Sequence, residues 1–272
     1  MSEPVAPSSI VVGIDGSRAA IRAALWGVDE AVSRDIPLKL IYVIDPERPH
    51  PAVHLAAARA ALLQAQTAIE ETGKEVKIES EISNGRPLEI LLRASRSAEM
   101  LCVGSIGLRR VATKVPSTAV GLASSAHCPV AIVPGRNGRC PAPGSIVVHV
   151  DGSPTDAEAI AAGIEEARLR SAPVHVVTTC TDAADPEGNR CAQARLARRL
   201  ACWTKSDPDI DIRAVAFHGT LLEYVTKQRD PVQLVIARMG NEMRSQHLFQ
   251  PRPRAALYDS DCSMLVVGSP HL

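Results

Sequence analysis

Short apolar runs alternate along the chain with segments in which apolar residues recur every three or four positions. Residues 10–14 form a run without polar alternation, which is typical of a strand buried on both faces. Residues 18–34 follow with the spacing of an amphipathic helix, whose apolar stripe comprises Ile21, Ala24, Leu25, Val28 and Val32. Alternation of this kind predicts an α/β fold, with a mainly parallel sheet and helices on both faces.

The same order continues to the end of the chain. In the first half we predict strands over 38–44, 76–83, 100–103 and 130–133, helices over 55–71, 87–95 and 117–126, and a loop over 45–54. The segment 76–83 carries charges on one face, which places it near a sheet edge. In the second half we predict strands near 146–150, 174–178, 210–215, 233–237 and 264–267.

Two nearly identical phrases show that the chain is a tandem duplication. Residues 11–17 read VVGIDGS and residues 147–153 read VVHVDGS, so Asp15 and Asp151 are separated by half of the 272 residues. A unit of about 135 residues is a common size for a single domain. We therefore predict two tandem open, mainly parallel five-stranded sheets flanked by helices, in domains spanning 1–136 and 144–272.

Composition narrows the class of protein. Lysine plus arginine and aspartate plus glutamate both number 30, so net charge gives no reason to expect nucleic acid or an anionic membrane as partner. No apolar run approaches the roughly 18 residues of a membrane span, and the first nine residues lack a signal-peptide pattern.

Seven cysteines without a Cys-x-x-Cys motif indicate reduced thiols in a cytoplasmic protein. A redox sensor using Cys191 or Cys202 is the alternative.

The candidate chemistry lies where the first-half strands end. In open parallel sheets, ligands bind beyond the carboxyl ends of the strands, which here bring together Asp15, Val43 and Gly104. Residues 104–107 read Gly-Ser-Ile-Gly and open a loop that runs to a helix beginning at Ser117-Thr118. Glycines and a helix N-terminus present N–H groups to phosphate. Arg109 adds positive charge to this loop, which lacks the Gly-Lys-Ser/Thr of a P-loop.

On these residues the chain resembles the universal stress protein family in its tandem two-domain form. The nucleotide-binding signature of that family is Gly-x2-Gly-x9-Gly-Ser/Thr, and here it reads Gly104, Gly107, Ser117 and Thr118, with serine replacing the third glycine. The resemblance implies a Rossmann-like, adenine nucleotide alpha hydrolase-like fold that binds ATP, with or without Mg²⁺. The predicted cofactor-binding residues are Gly13, Asp15, Ser17, Val43, Gly104, Gly107, Arg109, Ser117 and Thr118. No catalytic residue and no metal ligand is predicted.

The second half carries a degenerate form of the same pattern. Its loop begins Ala237-Arg238-Met239-Gly240 and continues to Gln250-Pro251, without the first glycine or the Gly-Ser/Thr pair. Proline has no N–H to offer a phosphate, so we predict a weak or empty second site. The first helix of this half is expected to begin with Ser153 as N-cap and Asp156 at N3.

The sequence leaves several functions open. An ATP-binding regulatory protein in stress or growth-arrest adaptation, with an adenine nucleotide and an unknown protein as partners, is the first hypothesis. The alternatives are a nucleotide-independent scaffold and a slow ATPase that uses Asp15 and Mg²⁺. Asp15 and Asp151 could also merely cap their strand–helix turns, and Gly104 and Gly107 could be ordinary loop glycines. A homodimer of tandem chains is compatible with every one of these hypotheses.

Overall fold

The computed structural model of the chain describes residues 8–46, 51–105, 118–135, 144–180, 186–238 and 262–268. These residues form two compact units, whose described parts lie within 8–135 and 144–268. The predicted domain limits of 1–136 and 144–272 fall partly on residues outside the described ranges and stay predictions.

The first unit is a parallel sheet with the strand order β3-β2-β1-β4-β5. Its elements, in chain order, are β1 (Ser9–Ile14), α1 (Arg18–Arg34), β2 (Leu38–Ile44), α2 (Pro51–Glu70), β3 (Ile78–Asn84), α3 (Pro87–Ala94), β4 (Ala98–Ser105), α4 (Thr118–Ser125) and β5 (Val130–Pro134). The predicted elements are confirmed, including the edge position of the charged strand β3. The loop predicted over 45–54 was wrong at its end, because α2 already begins at Pro51.

The second unit repeats this arrangement as β10-β9-β6-β7-β8, again with parallel neighbours only in its described strand pairs. Its elements are β6 (Ser145–Val150), α5 (Asp156–Arg170), β7 (Val174–Cys180), α6 (Pro186–Ser206), β8 (Ile212–His218), α7 (Leu221–Lys227), β9 (Val232–Arg238) and β10 (Ser263–Val267). The five strands predicted for this half are all confirmed. Within the described ranges, no helix has the length and apolarity that crossing a membrane requires.

Helix α1 packs on the sheet mainly through small residues, and the predicted apolar stripe is confirmed only in part: Ala24 and Val28 are buried, and Ile21 and Leu25 are half-buried. Its buried face is mainly alanine, whereas Val32 is 43% exposed. A Cβ on Gly27 would lie 3.1 Å from Val12 Cγ2 and 3.2 Å from Leu38 Cδ1. The helix therefore comes close to β1 and β2 at Gly27, where an added side chain would press on Val12 and Leu38.

The first helix of the second unit also begins differently from the prediction. Helix α5 starts at Asp156 with Thr155 as N-cap, and the Thr155 side chain makes no capping hydrogen bond. The Ser153 hydroxyl instead lies 2.8 Å from the Thr155 hydroxyl. Ser153 is drawn away from the N-cap position because residues 154 and 155 form a turn before the helix.

Candidate functional site

The strand order of the first unit creates a crevice at one point of the sheet. The chain passes from β1 outward to β2 and β3, then returns to the other side of β1 with β4. The connections that follow β1 and β4 consequently diverge to opposite faces, which is the topological switch point where open α/β sheets bind ligands. The residues that follow these strand ends are therefore the candidates for contact with a ligand.

The turn after β1 is built by Asp15, Gly16 and Ser17. Asp15 Oδ1 accepts a hydrogen bond of 2.9 Å from the Ser17 backbone N–H, and Gly16 adopts a φ of +80°, which favours glycine. Ser17 Oγ accepts a hydrogen bond of 3.2 Å from the Ala20 N–H, so Ser17 is the N-cap of α1. Asp15 thus shapes the turn with one oxygen, and Oδ2 has no partner among the described residues.

Gly104, near the end of β4, lies in close contact with the backbone at the start of α1. A Cβ at this position would lie 2.5 Å from the carbonyl carbon of Ala19 and 2.7 Å from the Ala20 nitrogen. Such distances are not compatible with any side chain, so Gly104 is required for close approach of two backbones. The contact holds the first turn of α1 directly beside the end of β4, at the switch point.

Val43 lies where β2 extends past β1. The pairing of β1 with β2 ends at Ile14 and Tyr42, whereas the pairing of β2 with β3 continues to Ile44 and Asn84. Among the described strands, the backbone of β2 at Val43 therefore has no neighbour on its β1 side. This open stretch of backbone borders the crevice, and the Val43 side chain packs partly into the core beside it.

The remaining predicted residues lie at different places in the first unit or outside the described ranges. Gly13 faces away from the turn, since a Cβ there would lie 3.1 Å from Leu91 Cδ1 and 3.3 Å from Val103 Cγ1. Thr118 is the first residue of α4. The described residues thus bring Asp15, Ser17, Gly104 and Val43 to the carboxyl edge of the sheet, while the predicted residues Gly107, Arg109 and Ser117 lie outside the described ranges.

The second unit fills the corresponding place with its own carboxylate. Asp156, at the position equivalent to Ala20, is 2% exposed. Its oxygens accept hydrogen bonds from the backbone N–H groups of Gly152 at 3.0 Å and Asp151 at 3.3 Å. Arg199 of α6 lies 3.1 Å from Asp156 Oδ2 and balances its charge. The spacing of the helix start indicated Asp156 only as a capping residue, and nothing in the sequence pattern pointed to Arg199.

A guanidinium replaces the glycine of β4 in the second unit. The strand pairings place Arg238 at the register of Gly104. Its Nη1 donates a hydrogen bond to Thr155 Oγ1, and its Nε lies 3.6 Å from Glu158 Oε2. The side chain therefore extends across the first turn of α5, where the first unit has two backbones in contact.

Histidine takes the place of Gly13 in the second unit. The ring Nε2 of His149 lies 3.1 Å from the hydroxyl of Thr179, and Thr179 stands at the register of Val43. Two polar side chains thus meet, within the second unit, at the place equivalent to the end of β2 in the first unit. Within the ranges that the structure describes, no group of three or more His, Cys, Asp or Glu side chains could hold a metal ion.

Asp151 keeps the turn geometry of Asp15, with Oδ1 accepting a hydrogen bond of 2.9 Å from the Ser153 N–H. Partial burial acts to raise the pKa of the Asp151 carboxyl, but hydrogen bonds from the backbone and hydroxyl of Ser153 outweigh it and hold the pKa below its ordinary value. A carboxylate of this kind stabilises the folded unit above the pKa it has when unfolded.

We expect Asp151→Asn to lower the stability of the second unit at pH 7 by less than about 1 kcal/mol, because the carboxyl is largely exposed. The difference from the parent protein should shrink as the pH falls through the lowered pKa of the folded carboxyl, because the carboxyl is then protonated in both the folded and the unfolded state. Urea unfolding followed by Trp203 fluorescence in a Trp26→Phe background, at pH 7 and at acid pH, measures this difference. A difference that persists unchanged at acid pH contradicts the assigned role of the charge.

The fold and the strand-end turns define a tandem α/β protein in which, among the described residues, the second unit places a buried carboxylate at its strand-end site and the first unit does not. A model of the universal stress protein family matches residues 8–134, which cover the first unit. Two universal stress proteins of Mycobacterium tuberculosis are 42% and 41% identical to this chain, each over the whole length of both proteins. The chain therefore belongs to the universal stress protein family, in its tandem form, and this membership gives it a role in the stress response.

Solved structures agree on the fold. A universal stress protein from Archaeoglobus fulgidus matches this chain with a TM-score of 0.70 and covers 96% of both chains, at 15% sequence identity. A protein from Pseudomonas aeruginosa PAO1 matches with a TM-score of 0.60, covers 97% of this chain and 94% of that one, and is 17% identical. At these identities the likeness supports the Rossmann-like architecture alone.

Proposed function

We propose that the first unit binds an adenine nucleotide, ATP with or without Mg²⁺, and that this binding regulates the protein's role in the stress response. The second unit takes no nucleotide at ordinary concentrations. The partner that responds to the bound state is a protein.

The observation that carries this proposal is the contrast between the N-termini of α1 and α5. The first turn of α1 has no acidic residue, whereas that of α5 has Asp156 and Glu158. Unpaired N–H groups and the helix dipole favour an anion at a helix N-terminus. In the second unit that anion is the buried Asp156 itself, whereas Ala20 supplies none in the first, so an external phosphate fits there.

The other parts of a nucleotide match the rest of the crevice. The β2 backbone at Val43, which lacks a strand neighbour toward β1, offers amide and carbonyl groups to the edge of an adenine ring. The free oxygen of Asp15 suits a hydroxyl or amino donor, and its charge keeps phosphate at a distance unless Mg²⁺ intervenes. With the adenine ring at Val43 and the phosphates kept away from the Asp15 carboxylate, we expect the phosphates to lie toward α1 and toward the loop between β4 and Thr118.

Nucleotide content is the direct test of the proposal. The purified protein is denatured by heat, and the supernatant is analysed for adenine nucleotides; the nucleotide-free protein is then titrated with ATP by calorimetry. We expect at most about one ATP per chain. Two equivalent sites contradict the assigned asymmetry, and the absence of any binding favours the nucleotide-independent scaffold. Phosphate release that depends on Asp15 favours the slow ATPase.

The duplication supplies a matched pair of variants. Asp15→Ala and Asp151→Ala remove the same turn hydrogen bond, but only Asp15 borders the crevice that we assign to nucleotide. We expect Asp15→Ala to weaken ATP binding about tenfold, since a hydrogen bond to a charged group contributes about 1.5–3 kcal/mol. Asp151→Ala should leave the affinity unchanged. Equal losses in both variants indicate a general effect on folding and contradict the assignment of Asp15.

A further inference from the structure

Helix α6 presents two thiols and three cations on one exposed face. Successive residues of an α-helix are rotated by about 100°, so these five residues lie within an arc of about 80°. All of them are exposed, and they are Cys191, Arg195, Arg198, Cys202 and Lys205. We refer to them as the α6 face.

The cations of the α6 face have no carboxylate partner among the described residues. Arg198 Nε donates only to the carbonyl of Ala194, in its own helix, at 3.4 Å. The ion pairs nearby involve other arginines, with Arg199 on Asp156 and Arg168 on Asp207. Glu187, four positions before Cys191, is also exposed and lies at the edge of the same arc. With Glu187 included, this side of α6 still has two more positive than negative charges, on a chain whose formal net charge is zero.

Helix α2 holds the place in the first unit that α6 holds in the second, and it has no comparable face of cysteines and cations. Within residues 51–70, α2 carries only Arg59 and Glu70 as charged residues and has no cysteine. Its large exposed side chains are apolar instead, with Val53 and Leu63 among them. A helix in this place of the fold thus does not need the cysteines and cations of α6 for packing.

The two thiols cannot form a disulfide with each other. They are separated by 11 positions of one helix, which corresponds to about 16 Å at 1.5 Å per residue. A disulfide requires Cα atoms within about 7 Å. The Cys202 thiol lies 3.6 Å from the Arg199 carbonyl oxygen and remains exposed. An intramolecular disulfide between Cys191 and Cys202 is therefore excluded.

The other described cysteines whose side chains are characterised are protected. Cys102 and Cys262 are buried. Burial and the charge of Glu99 raise the pKa of the Cys128 thiol to about 12, so its nucleophilic thiolate is scarce at neutral pH. Thiol–disulfide exchange needs an accessible thiolate, which selects Cys191 and Cys202 among these five.

We propose that the α6 face is a modification site at which Cys191 and Cys202 form mixed disulfides with a small thiol bearing free carboxylates. The disulfide form of that thiol is the oxidant. The cysteine thiolate attacks one of its sulfur atoms, the S–S bond breaks, and the second thiol leaves as a thiolate that takes up a proton. Arg195, Arg198 and Lys205 attract the carboxylates, and excess reduced thiol reverses the reaction.

The test uses three disulfides of different charge. The reduced full-length protein is treated separately with glutathione disulfide, neutral 2-hydroxyethyl disulfide and cationic cystamine, and modified peptides are followed by mass spectrometry. With glutathione disulfide, Cys191 and Cys202 should react at least about tenfold faster than Cys102, Cys128 and Cys262. Raising the salt concentration should reduce the preference for the anionic reagent.

A double variant separates charge attraction from mere exposure. Arg195→Gln with Arg198→Gln should lower the rate with glutathione disulfide, relative to that with cystamine, by about fivefold, the effect of two exposed charge pairs. The control, Arg93→Gln with Arg96→Gln, removes the same charge from an exposed part of the first unit and should change nothing.

Three results overturn the proposal. The first is modification of the α6 face no faster than of the buried cysteines. The second is a rate ratio between anionic and cationic reagents that the arginine variant leaves unchanged. The third is a disulfide-linked pair of chains as the main product, which assigns the α6 face to a second copy instead. None of these results depends on nucleotide binding by the first unit.

Discussion

Replacing Gly104 by alanine is expected to destabilise the first unit by about 3 kcal/mol, the upper end of the usual cost of overpacking. The added Cβ would lie 2.5 Å from the Ala19 carbonyl carbon and 2.7 Å from the Ala20 nitrogen. Both are backbone atoms of the first turn of α1, so relief requires movement of the whole helix rather than of one side chain. ATP binding should be lost together with this stability.

Each unit carries one tryptophan, which allows this effect to be measured separately. Trp26 lies on α1 and Trp203 on α6, so in a Trp203→Phe background the fluorescence reports urea unfolding of the first unit. The matched control is Gly13→Ala, whose Cβ would meet the tips of the Leu91 and Val103 side chains at 3.1 and 3.3 Å. Because these tips can shift, we expect a cost of about 1 kcal/mol or less. Equal costs for both variants contradict the backbone contact as the cause.

The same glycine shows what the sequence allowed and what it did not. The repeated strand pattern was sufficient to predict ten strands and their parallel arrangement, because buried parallel strands read as continuous apolar runs. The spacing also located Gly104 at the crevice. Its role in the contact between β4 and α1 was not predictable, since residues 19 and 104 are brought together only by the crossover between them.

The buried face of α1 was predicted only in part, for a related reason. The predicted stripe included Val28, which is buried, and Val32, which is exposed, but it left out Gly27 and most of the alanines of the inner face. The spacing of apolar residues indicates which side of a helix is hydrophobic, but it does not indicate how closely the helix approaches its sheet. In the second unit, likewise, Arg199 and Arg238 reach the start of α5 from distant elements, which no local spacing could indicate.

A buried ion pair recurs in both units and was not predicted from the sequence either. On α1, Glu30 Oε2 lies 2.5 Å from Arg34 Nη1. On α5, the equivalent pair is Glu166 and Arg170, with 2.8 Å between Oε2 and Nη2. Both glutamates are buried, at 0% and 1% exposure. Each apolar stripe therefore contains a carboxylate that the sequence pattern alone assigns to the solvent side.

We expect Arg170→Met to destabilise the second unit by about 3 kcal/mol, because removing one partner of a buried pair leaves the other charge poorly compensated. The double variant Glu166→Leu with Arg170→Met should recover most of this loss, since apolar side chains of similar size can replace such a pair at little cost. Urea unfolding followed by Trp203 fluorescence in a Trp26→Phe background measures both. A double variant as unstable as Arg170→Met alone means that methionine cannot pack in this place, and the loss then comes from shape rather than charge.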